Sequence, residues 1–408
     1  MDFDIAIIGA GPVGTLAAIN AKRKSLSVVL FDQRKIIGKP DHCAGLISKS
    51  GFDQIGLSSL PKEVIQNNDI KGAKFYSPNG SEIIVKRKSS QAYVVDREKL
   101  DQFILTKAQE KDVEIKLQTK ISDLKYDPTN KMNTIKSKDF VSKKIINYKS
   151  KLAILSVGSS SSLIKSMKLP EISKTSYYSG YQVLAENLMN IDKHFVELYL
   201  NQKLVPGFFF WVIPLDETRA KVGLASSAKL SKSRLEFFMK KYVLTKSKFY
   251  KAKISKRYAG KVIVNGLRKK TVYDGLLIAG DAAGQTKATT GGGVITGGLA
   301  GSIAGNVAAE AVSTDKLNTN FLKKYETNWQ SQLLRQLQVM GLLRRFLNKL
   351  SNNQLDEIFS TIIDNNFIQI IEEKGDIDKQ ATIILELLKQ PKIMRLGLKL
   401  LPSLFRKI

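Results

Sequence analysis

A glycine pattern near the start of the chain has the spacing that binds a pyrophosphate. Gly9, Gly11 and Gly14 form G-x-G-x-x-G directly after the apolar run at residues 3–8, and a helix-forming segment follows. Gly9 permits the tight turn, Gly11 lets the backbone approach a phosphate, and Gly14 lets the helix pack against the strand. Free N–H groups at the helix start, beside Pro12, favour an anion. The pattern predicts a dinucleotide site with contacts from these residues.

Two aspartates indicate which dinucleotide binds. Asp32 ends the next apolar run, LSVVLFD, where a carboxylate accepts hydrogen bonds from a ribose diol. Residues 276–284, LLIAGDAAG, place Gly280 and Asp281 at the end of another expected strand, where Asp281 would bind a ribityl hydroxyl. Because the two motifs lie far apart in the sequence, they fit one extended dinucleotide, FAD, better than a second cofactor. A glycine turn and an acidic loop without a ligand are the alternative.

Together these motifs resemble those of the FAD-dependent hydroxylase-like flavoprotein superfamily over residues 1–315. The resemblance implies that Arg97, which lies between Asp96 and Glu98, contacts the cofactor; an exposed helix cap at Asp96 is the alternative. Many relatives that hydroxylate aromatic rings have an Asp-Gly sequence in mid-chain. Ser156 stands at that position here, which argues against NAD(P)H binding in the hydroxylase manner.

A Cys-x-Gly-x-x-Ser segment, from Cys43 to Ser48, resembles a motif of geranylgeranyl reductases, particularly the archaeal type that saturates digeranylgeranylglycerol lipids. The resemblance implies that this segment lies against the flavin. The glycine-rich run after GDAAG also matches that family. The flavin contacts implied by these two segments are Cys43, Ala44, Gly45, Gly291, Gly292 and Gly293.

A further motif of the same family, aromatic-x-Trp-x-apolar-Pro, lines the substrate region. The matching residues here are Phe209, Trp211, Ile213 and Pro214. The chain departs from the family at Phe209 and Ile213, where Tyr and Phe are usual, and at residues 223–225, GLA, which form an incomplete Gly-x-Gly. An aromatic wall suits a prenyl chain, although alternating aromatic residues in a strand more often pack in a core.

The candidate catalytic residues adjoin the cysteine segment. Saturating an isolated alkene needs a hydride, which reduced flavin supplies, and a proton for the other carbon. Cys43 is the only cysteine, and it follows His42, one of two histidines. We predict that Cys43 gates the flavin or delivers the proton, with His42 or a water as the other proton source. The alternative for Cys43 is a small buried hydrophobic residue.

The order of apolar patterns predicts an α/β fold: a Rossmann-like FAD-binding domain, a discontinuous antiparallel-sheet substrate domain and a helical C-terminal region. The FAD-binding domain is expected at residues 1–50, 90–165 and 271–315, the substrate domain at 51–89 and 166–270, and the helical region at 316–408. So few cysteines and histidines exclude a disulfide scaffold and a histidine-rich metal centre, and no metal site is predicted.

The chain is strongly basic, with 65 Lys and Arg against 37 Asp and Glu and a formal net charge of +28. Such a charge attracts anions, although a general compositional bias is an alternative. Residues 389–408 combine basic residues and leucines without an acid, as in helices that lie in the plane of a membrane; a helix packed on the domain is the alternative. No signal sequence is recognisable. We expect a cytoplasmic protein at the inner face of an anionic membrane, and no nucleic-acid partner.

The resemblance implies an FAD-dependent oxidoreductase that acts on CH–CH donors and saturates geranylgeranyl chains of archaeal ether lipids. Its substrate would be a prenylated glycerophospholipid. An external donor, whether ferredoxin, reduced flavin or NAD(P)H, would supply the electrons. Two alternatives are a flavin-dependent monooxygenase or hydroxylase, and a non-enzymatic prenyl-binding escort of the same fold.

Overall fold

The computed structural model describes residues 2–41, 43–159, 162–170, 172–173, 176–229 and 231–400. The strands are β1 Asp2–Ile8, β2 Val28–Phe31, β3 Leu46–Ser48, β4 Ile65–Ile70, β5 Gly72–Tyr76, β6 Glu82–Lys86, β7 Ala92–Val95, β8 Glu114–Lys116, β9 Thr119–Asp127, β10 Met132–Asp139, β11 Ile145–Leu155, β12 Tyr177–Glu186, β13 Phe195–Tyr199, β14 Phe210–Pro214, β15 Ala220–Ser226, β16 Lys253–Ile263, β17 Val272–Tyr273 and β18 Leu276–Ile278. The helices are α1 Pro12–Ala21, α2 Lys49–Gln54, α3 Arg97–Gln109, α4 Ser162–Ser166, α5 Ser231–Lys240, α6 Val294–Ser313, α7 Thr319–Leu347, α8 Asn352–Asp364, α9 Ile368–Lys374, α10 Gln380–Leu388 and α11 Pro391–Leu400.

A sheet of eight strands carries the dinucleotide motifs. Its order is β17-β18-β11-β1-β2-β8, with β9 and β10 attached through β11. Strand β1 runs parallel to β2 and β11, and β11 runs parallel to β18. Because both faces are covered, Ile5, Ala6 and Ile7 are fully buried, which explains the continuous apolar run. The carboxyl ends of these parallel strands meet at one edge, so the loops after them lie together.

From Val294 onward the glycine-rich segment is a helix packed closely on another helix. A Cβ on Gly301 would stand 2.4 Å from the carbonyl oxygen of Val13, and one on Gly305 would stand 2.2 Å from that of Ala17. Helix α6 therefore needs glycine to approach α1. Among the described residues, no helix is both long enough and apolar enough to cross a membrane.

A second sheet of seven strands has the order β16-β12-β15-β14-β13-β5-β6. One face packs on helix α5, where Phe210 stacks on Phe238 with ring centroids 4.2 Å apart. Alternation in β14 and β15 places Trp211 and Gly223 on the other face. A small third sheet, β3-β7-β4, carries the end of the cysteine segment. Strands β5 and β6, from residues 72–86, belong to the seven-stranded sheet although they precede most of it in the chain.

The last quarter of the described chain is helical, as the sequence predicted. Helix α7 buries Trp329 and Tyr325 in the main core. Tyr325 also donates a hydrogen bond of 2.9 Å to the carbonyl oxygen of Ile278, at the end of β18. The C-terminal helices are therefore joined to the strand that precedes Gly280.

Candidate functional site

The first glycine turn has the close contacts that its motif requires. Gly9 has φ +104°, and a Cβ there would lie 2.4 Å from the carbonyl oxygen of Ser156. A Cβ on Gly14 would lie 1.9 Å from the carbonyl oxygen of Gly9. Around Gly11, by contrast, no described atom stands within 4 Å of the Cβ position. Gly11 also caps α1 without a side-chain hydrogen bond, and Pro12 opens the helix. Open space before free helix N–H groups fits a pyrophosphate.

Ser156, which replaces the acid of the hydroxylases, holds this turn. Its hydroxyl donates to the carbonyl oxygens of Gly9, at 2.9 Å, and Ile8, at 3.1 Å. A Cβ on Gly14 would stand 2.3 Å from the same hydroxyl oxygen. The side chain at this position is thus directed beneath the glycine turn.

Asp32 lies where the motif predicts, beside the turn. The side chain is 5% exposed; Oδ2 accepts from the amide of Ala10 at 2.8 Å, and Oδ1 accepts from that of Arg34 at 2.8 Å. A carboxylate has about four acceptor positions, so this one can still accept from a diol.

Asp281 lies in the turn that follows β18. It follows Gly280, whose φ is +70° and whose Cβ would stand 2.8 Å from Val13, so the GD motif packs on the first turn. A Cβ on Gly293 would lie 2.7 Å from Oδ1 of Asp281. Burial raises the pKa of Asp281, and the charge of Arg97 opposes that effect. A desolvated carboxylate next to a run of glycines fits a ligand that donates hydroxyl groups.

Arg97 connects the GD motif to the cysteine segment. It opens α3 and forms a bidentate pair with Asp101, with both N···O distances at 3.0 Å. Burial opposes the charge of Arg97, but Asp101 and the nearby Cys43 outweigh it and raise the pKa of the guanidinium. Asp96 is indeed the cap, since its carboxylate accepts from the amide of Lys99 at 3.2 Å. The cap at Asp96 and a largely buried Arg97 therefore coexist, and the contact of Arg97 with the cofactor stays a prediction.

The cysteine segment bends sharply beside this arginine. Sγ of Cys43 accepts from the amide of Gly45 at 3.4 Å. Gly45 has φ +79°, and a Cβ there would lie 2.3 Å from the carbonyl oxygen of Val95. Cys43 is partly exposed, so it is not a fully buried hydrophobic residue. His42 lies outside the described residues, and its role as a proton source stays a prediction.

The substrate motif is linked to the cysteine segment through Gln182. The indole Nε1 of Trp211 donates to Oε1 of Gln182 at 2.9 Å, and Nε2 of Gln182 donates to the carbonyl oxygen of Cys43 at 3.4 Å. A Cβ on Gly223 would stand 2.6 Å from the indole ring. The single glycine retained from the incomplete Gly-x-Gly is thus the one that makes room for Trp211.

The remaining aromatic residues of this motif divide between two environments. Phe209 is partly exposed and lies 6.2 Å from Trp211, centroid to centroid. Phe210 is fully buried on the opposite face of the sheet, so it belongs to the core. Ile213 is 4% exposed and packs with Ile70 and Val94 between the sheets. Pro214 is also buried and ends β14.

Gly291, Gly292 and Gly293 form a tight loop before α6. The amide of Lys287 donates to the carbonyl oxygen of Gly292 at 2.9 Å, and the amide of Gly291 donates back to the carbonyl oxygen of Lys287 at 2.7 Å. Arg344 of α7 binds the segment just before this loop: Nε donates to the carbonyl oxygen of Ala288 at 3.0 Å. The same guanidinium, 5% exposed, donates to the carbonyl oxygen of Gly207 at 2.6 Å.

Lys221 was not predicted from the sequence. It lies in β15 on the Trp211 face, is 3% exposed, and donates to the carbonyl oxygen of Val95 at 3.2 Å. Burial lowers its pKa, while Asp41 and Cys43 oppose the shift. A cleft of about 650 Å³ opens beside it, lined by Arg34, Lys39, Asp41, Asp96, Lys221 and Tyr258 among others. The pattern AKVGLAS carried a usable signal, because alternation places Lys221 on the same face as Gly223.

Comparisons with known proteins agree with this geometry. The model of the geranylgeranyl reductase catalytic domain matches residues 176–262, and the FAD dependent oxidoreductase model matches residues 4–154. Digeranylgeranylglycerophospholipid reductase of Methanocaldococcus jannaschii is 30% identical over 364 residues, 87% of this chain and 89% of that protein. The chain belongs to the geranylgeranyl reductase family.

Two further similar proteins match nearly all of the chain. An uncharacterized protein of Methanocaldococcus jannaschii is 30% identical over 404 residues, 99% of both chains. The crystal structure of a geranylgeranyl bacteriochlorophyll reductase-like protein from Thermoplasma acidophilum has a TM-score of 0.85 at 22% identity and covers 98% of this chain and 99% of that one. The predicted fold class, the family and the FAD cofactor are confirmed: this geranylgeranyl reductase family member is an FAD-dependent oxidoreductase.

Proposed function

We propose that this reductase saturates double bonds of geranylgeranyl chains in prenylated glycerophospholipids of the archaeal ether type. The relatives named digeranylgeranylglycerophospholipid reductase support the substrate class. The observation that carries the proposal is the link from Trp211 through Gln182 to the backbone of Cys43. It joins the aromatic substrate motif to the segment expected against the flavin.

The site residues fit FAD and take separate parts in the reaction. The chemistry that FAD would supply when bound and reduced is a hydride. Gly11 and the start of α1 would hold the pyrophosphate, Asp32 the ribose, and Asp281 the ribityl chain. Gly291–Gly293 would present backbone to the ring, since their Cβ positions lie against Val262, Lys287 and Asp281 of the chain itself. These residues bind and orient; the alkene needs in addition a dry apolar groove and a proton.

Trp211 and Phe209 provide the apolar wall of that groove. Trp211 packs in the cluster that includes Ala44 of the cysteine segment, and the Phe209 ring lies 6.2 Å from it, so the two would exclude water from the alkene. Gln182 holds the indole by one hydrogen bond and the cysteine backbone by another. Cys43 donates the proton or closes the groove, with His42 or a water as the alternative donor. A general acid contributes about 10²–10⁴-fold to such a rate.

The membrane association is part of the same proposal. Helix α11 buries Leu396 and Leu400 in a small core, while Met394 and Leu398 are 53% and 61% exposed on its outer side. An apolar outer face next to the basic residue Arg395 suits an anionic lipid surface. A peripheral position at the cytoplasmic face brings the substrate to the enzyme, and an external ferredoxin, reduced flavin or NAD(P)H supplies the electrons.

Turnover of a geranylgeranyl glycerophospholipid tests this function. Purified protein carrying FAD, reduced chemically, is incubated with the unsaturated lipid, and mass spectrometry counts the hydrogens added. We expect products heavier by pairs of hydrogen atoms. Oxygenated products would instead support the monooxygenase alternative. A protein that binds the lipid, but that binds no FAD and forms no reduced product, would support the prenyl escort.

A further inference from the structure

The turn at residues 376–380, between α9 and α10, reaches into the region of the flavin loop. Ile377 packs in the cluster that includes Ala44 and Trp211. Its carbonyl oxygen accepts from Nζ of Lys287 at 3.3 Å. The side chain of Gln380 accepts a hydrogen bond from the hydroxyl of Thr289. This C-terminal turn therefore contacts both the cysteine segment's cluster and the start of the glycine loop.

Asp378 is the charged residue of this turn, and it binds two partners with its two oxygens. Oδ1 accepts from Nζ of Lys287 at 2.6 Å, and Oδ2 accepts from the hydroxyl of Ser48. Asp378 is 7% exposed, Lys287 is 7% exposed and Ser48 is 2% exposed. The group is a buried ion pair with a buried hydroxyl attached to it.

Ser48 is the last residue of the Cys-x-Gly-x-x-Ser motif, and its hydroxyl group both accepts and donates a hydrogen bond. Its hydroxyl oxygen accepts from the amide of Gly51 at 3.0 Å, which caps α2, while its proton goes to Asp378. The motif serine thus has a partner, Asp378, that the sequence around Ser48 does not indicate. Because Ser48 ends β3, its position determines where the cysteine segment ends.

Lys287 performs the corresponding role in the glycine loop. Its backbone amide and carbonyl close the loop on Gly292 and Gly291. A Cβ on Gly292 would stand 2.9 Å from Cε of Lys287, so the lysine side chain also lies along the loop. A displacement of Lys287 would therefore move the glycines that are expected to face the flavin ring.

A buried ion pair is weak evidence for stability alone, because desolvation of the two charges offsets most of their attraction. Apolar residues of similar volume would fill the same space. An apolar group, however, would not bind both Lys287 and Ser48, and so would not fix the distance between them. The arrangement is therefore better suited to positioning than to strengthening the fold.

We propose that Asp378 is a positioning residue of the flavin site, which fixes the glycine loop relative to the cysteine segment and makes the C-terminal region part of that site. The inference rests on the proposed function only in placing FAD between these two segments. It does not depend on the lipid substrate. The two family models that match the chain end at residues 262 and 154, so neither includes Asp378.

The test compares two variants by their binding of FAD and by the visible circular dichroism of the bound flavin. Asp378→Asn leaves Lys287 buried without its counter-charge. The double variant Asp378→Asn/Lys287→Met removes both charges, keeps an acceptor for Ser48, and is expected to melt as apoprotein near the wild-type temperature. For the double variant we expect the dissociation constant of FAD to rise by about tenfold, because a glycine loop that is no longer held in place must be ordered when FAD binds. The flavin dichroism should change as the ring environment is altered.

Glu386→Gln is the matched control, since Glu386 forms surface ion pairs with Lys374 and Lys389 in the same region. It should bind FAD as the wild type does. A double variant with the wild-type dissociation constant and an unaltered dichroism spectrum would overturn the inference. If wild-type protein binds FAD but reduces no lipid, the proposed function fails while the inference is still tested. If the wild type binds no FAD, both fail.

Discussion

The indole of Trp211 occupies the space that a side chain on Gly223 would need. A Cβ at Gly223 would lie 2.6 Å from Cζ2 and 2.9 Å from Nε1 of that ring. The two residues face each other across the β14–β15 pair, in register. The glycine thereby holds the indole where Nε1 reaches Gln182.

Gly223→Ala should therefore slow lipid reduction and leave FAD bound. The added methyl must displace the indole and break its hydrogen bond to Gln182. We expect turnover to fall by about a hundredfold, since misplacement of a positioning group by about 1 Å has that effect. Gly341→Ala is the control, because a Cβ there meets its nearest atom at 3.9 Å. Turnover equal to that of the control would separate Trp211 from the substrate groove.

Gly11→Leu should abolish FAD binding without unfolding the protein. No described atom lies within 4 Å of the Cβ position, so the side chain enters the space assigned to the pyrophosphate. The flavin absorbance after reconstitution and the melting temperature of the apoprotein are the measurements. Gly397→Leu is the matched control, since the space beside Gly397 is equally open and lies on α11. A yellow Gly11→Leu protein would place the pyrophosphate elsewhere.

Cys43→Ala should keep FAD and slow alkene saturation. If the thiol delivers the proton, turnover with chemically reduced enzyme should fall by about 10²–10⁴-fold. A smaller loss would indicate gating or packing. Reduction of the bound flavin by an artificial donor should be unchanged, which serves as the internal control. Wild-type turnover in the variant would leave His42 or a water as the proton source.

Asp281→Asn should stabilise the apoprotein and weaken FAD binding. Burial raises the pKa of Asp281, so the folded state holds this proton more tightly than the unfolded state does. The ionised carboxylate therefore destabilises the fold as pH rises above the unfolded pKa. The variant's gain in melting temperature should grow with pH from below about 4, the unperturbed aspartate pKa, toward neutrality.

Exposed Asp53→Asn is the control for that measurement. It should show no such growth with pH. An Asp281→Asn apoprotein less stable than wild type at neutral pH would contradict the prediction, because it would mean that the carboxylate has a stabilising partner in the fold.

Met394→Gln/Leu398→Gln should weaken binding to vesicles of anionic lipid. These residues form the exposed apolar face of α11. Added salt should weaken binding of the wild type, because exposed charges are screened beyond about 10 Å at 0.1 M ionic strength. Leu342→Gln, at an exposed position on α7, is the control and should bind normally. Equal binding of wild type and double variant would remove α11 from the membrane interface.

The sequence by itself determined the fold class and the FAD cofactor of this protein, because the motifs that indicate them depend on local chemistry. Gly9 must turn and Gly14 must allow close packing, and both requirements are visible in the spacing of the glycines. Asp32 is recognisable because it ends the next apolar run. The apolar run of β1 likewise follows from burial on both faces of a parallel sheet. The glycines of α6 were visible as a pattern, but their contact with α1 was not.

Only the tertiary structure decided which distant residues complete the site. Ser48 and Asp378 lie 330 positions apart and share a hydrogen bond. Arg344 of α7 forms a hydrogen bond just before the glycine loop, although the sequence of that helix shows only an amphipathic pattern. In the sequence Lys221 is an ordinary lysine of a strand, and only the fold shows that it is buried beside the cysteine segment. Buried charges take their partners from elements brought together by packing, and no local periodicity encodes that choice.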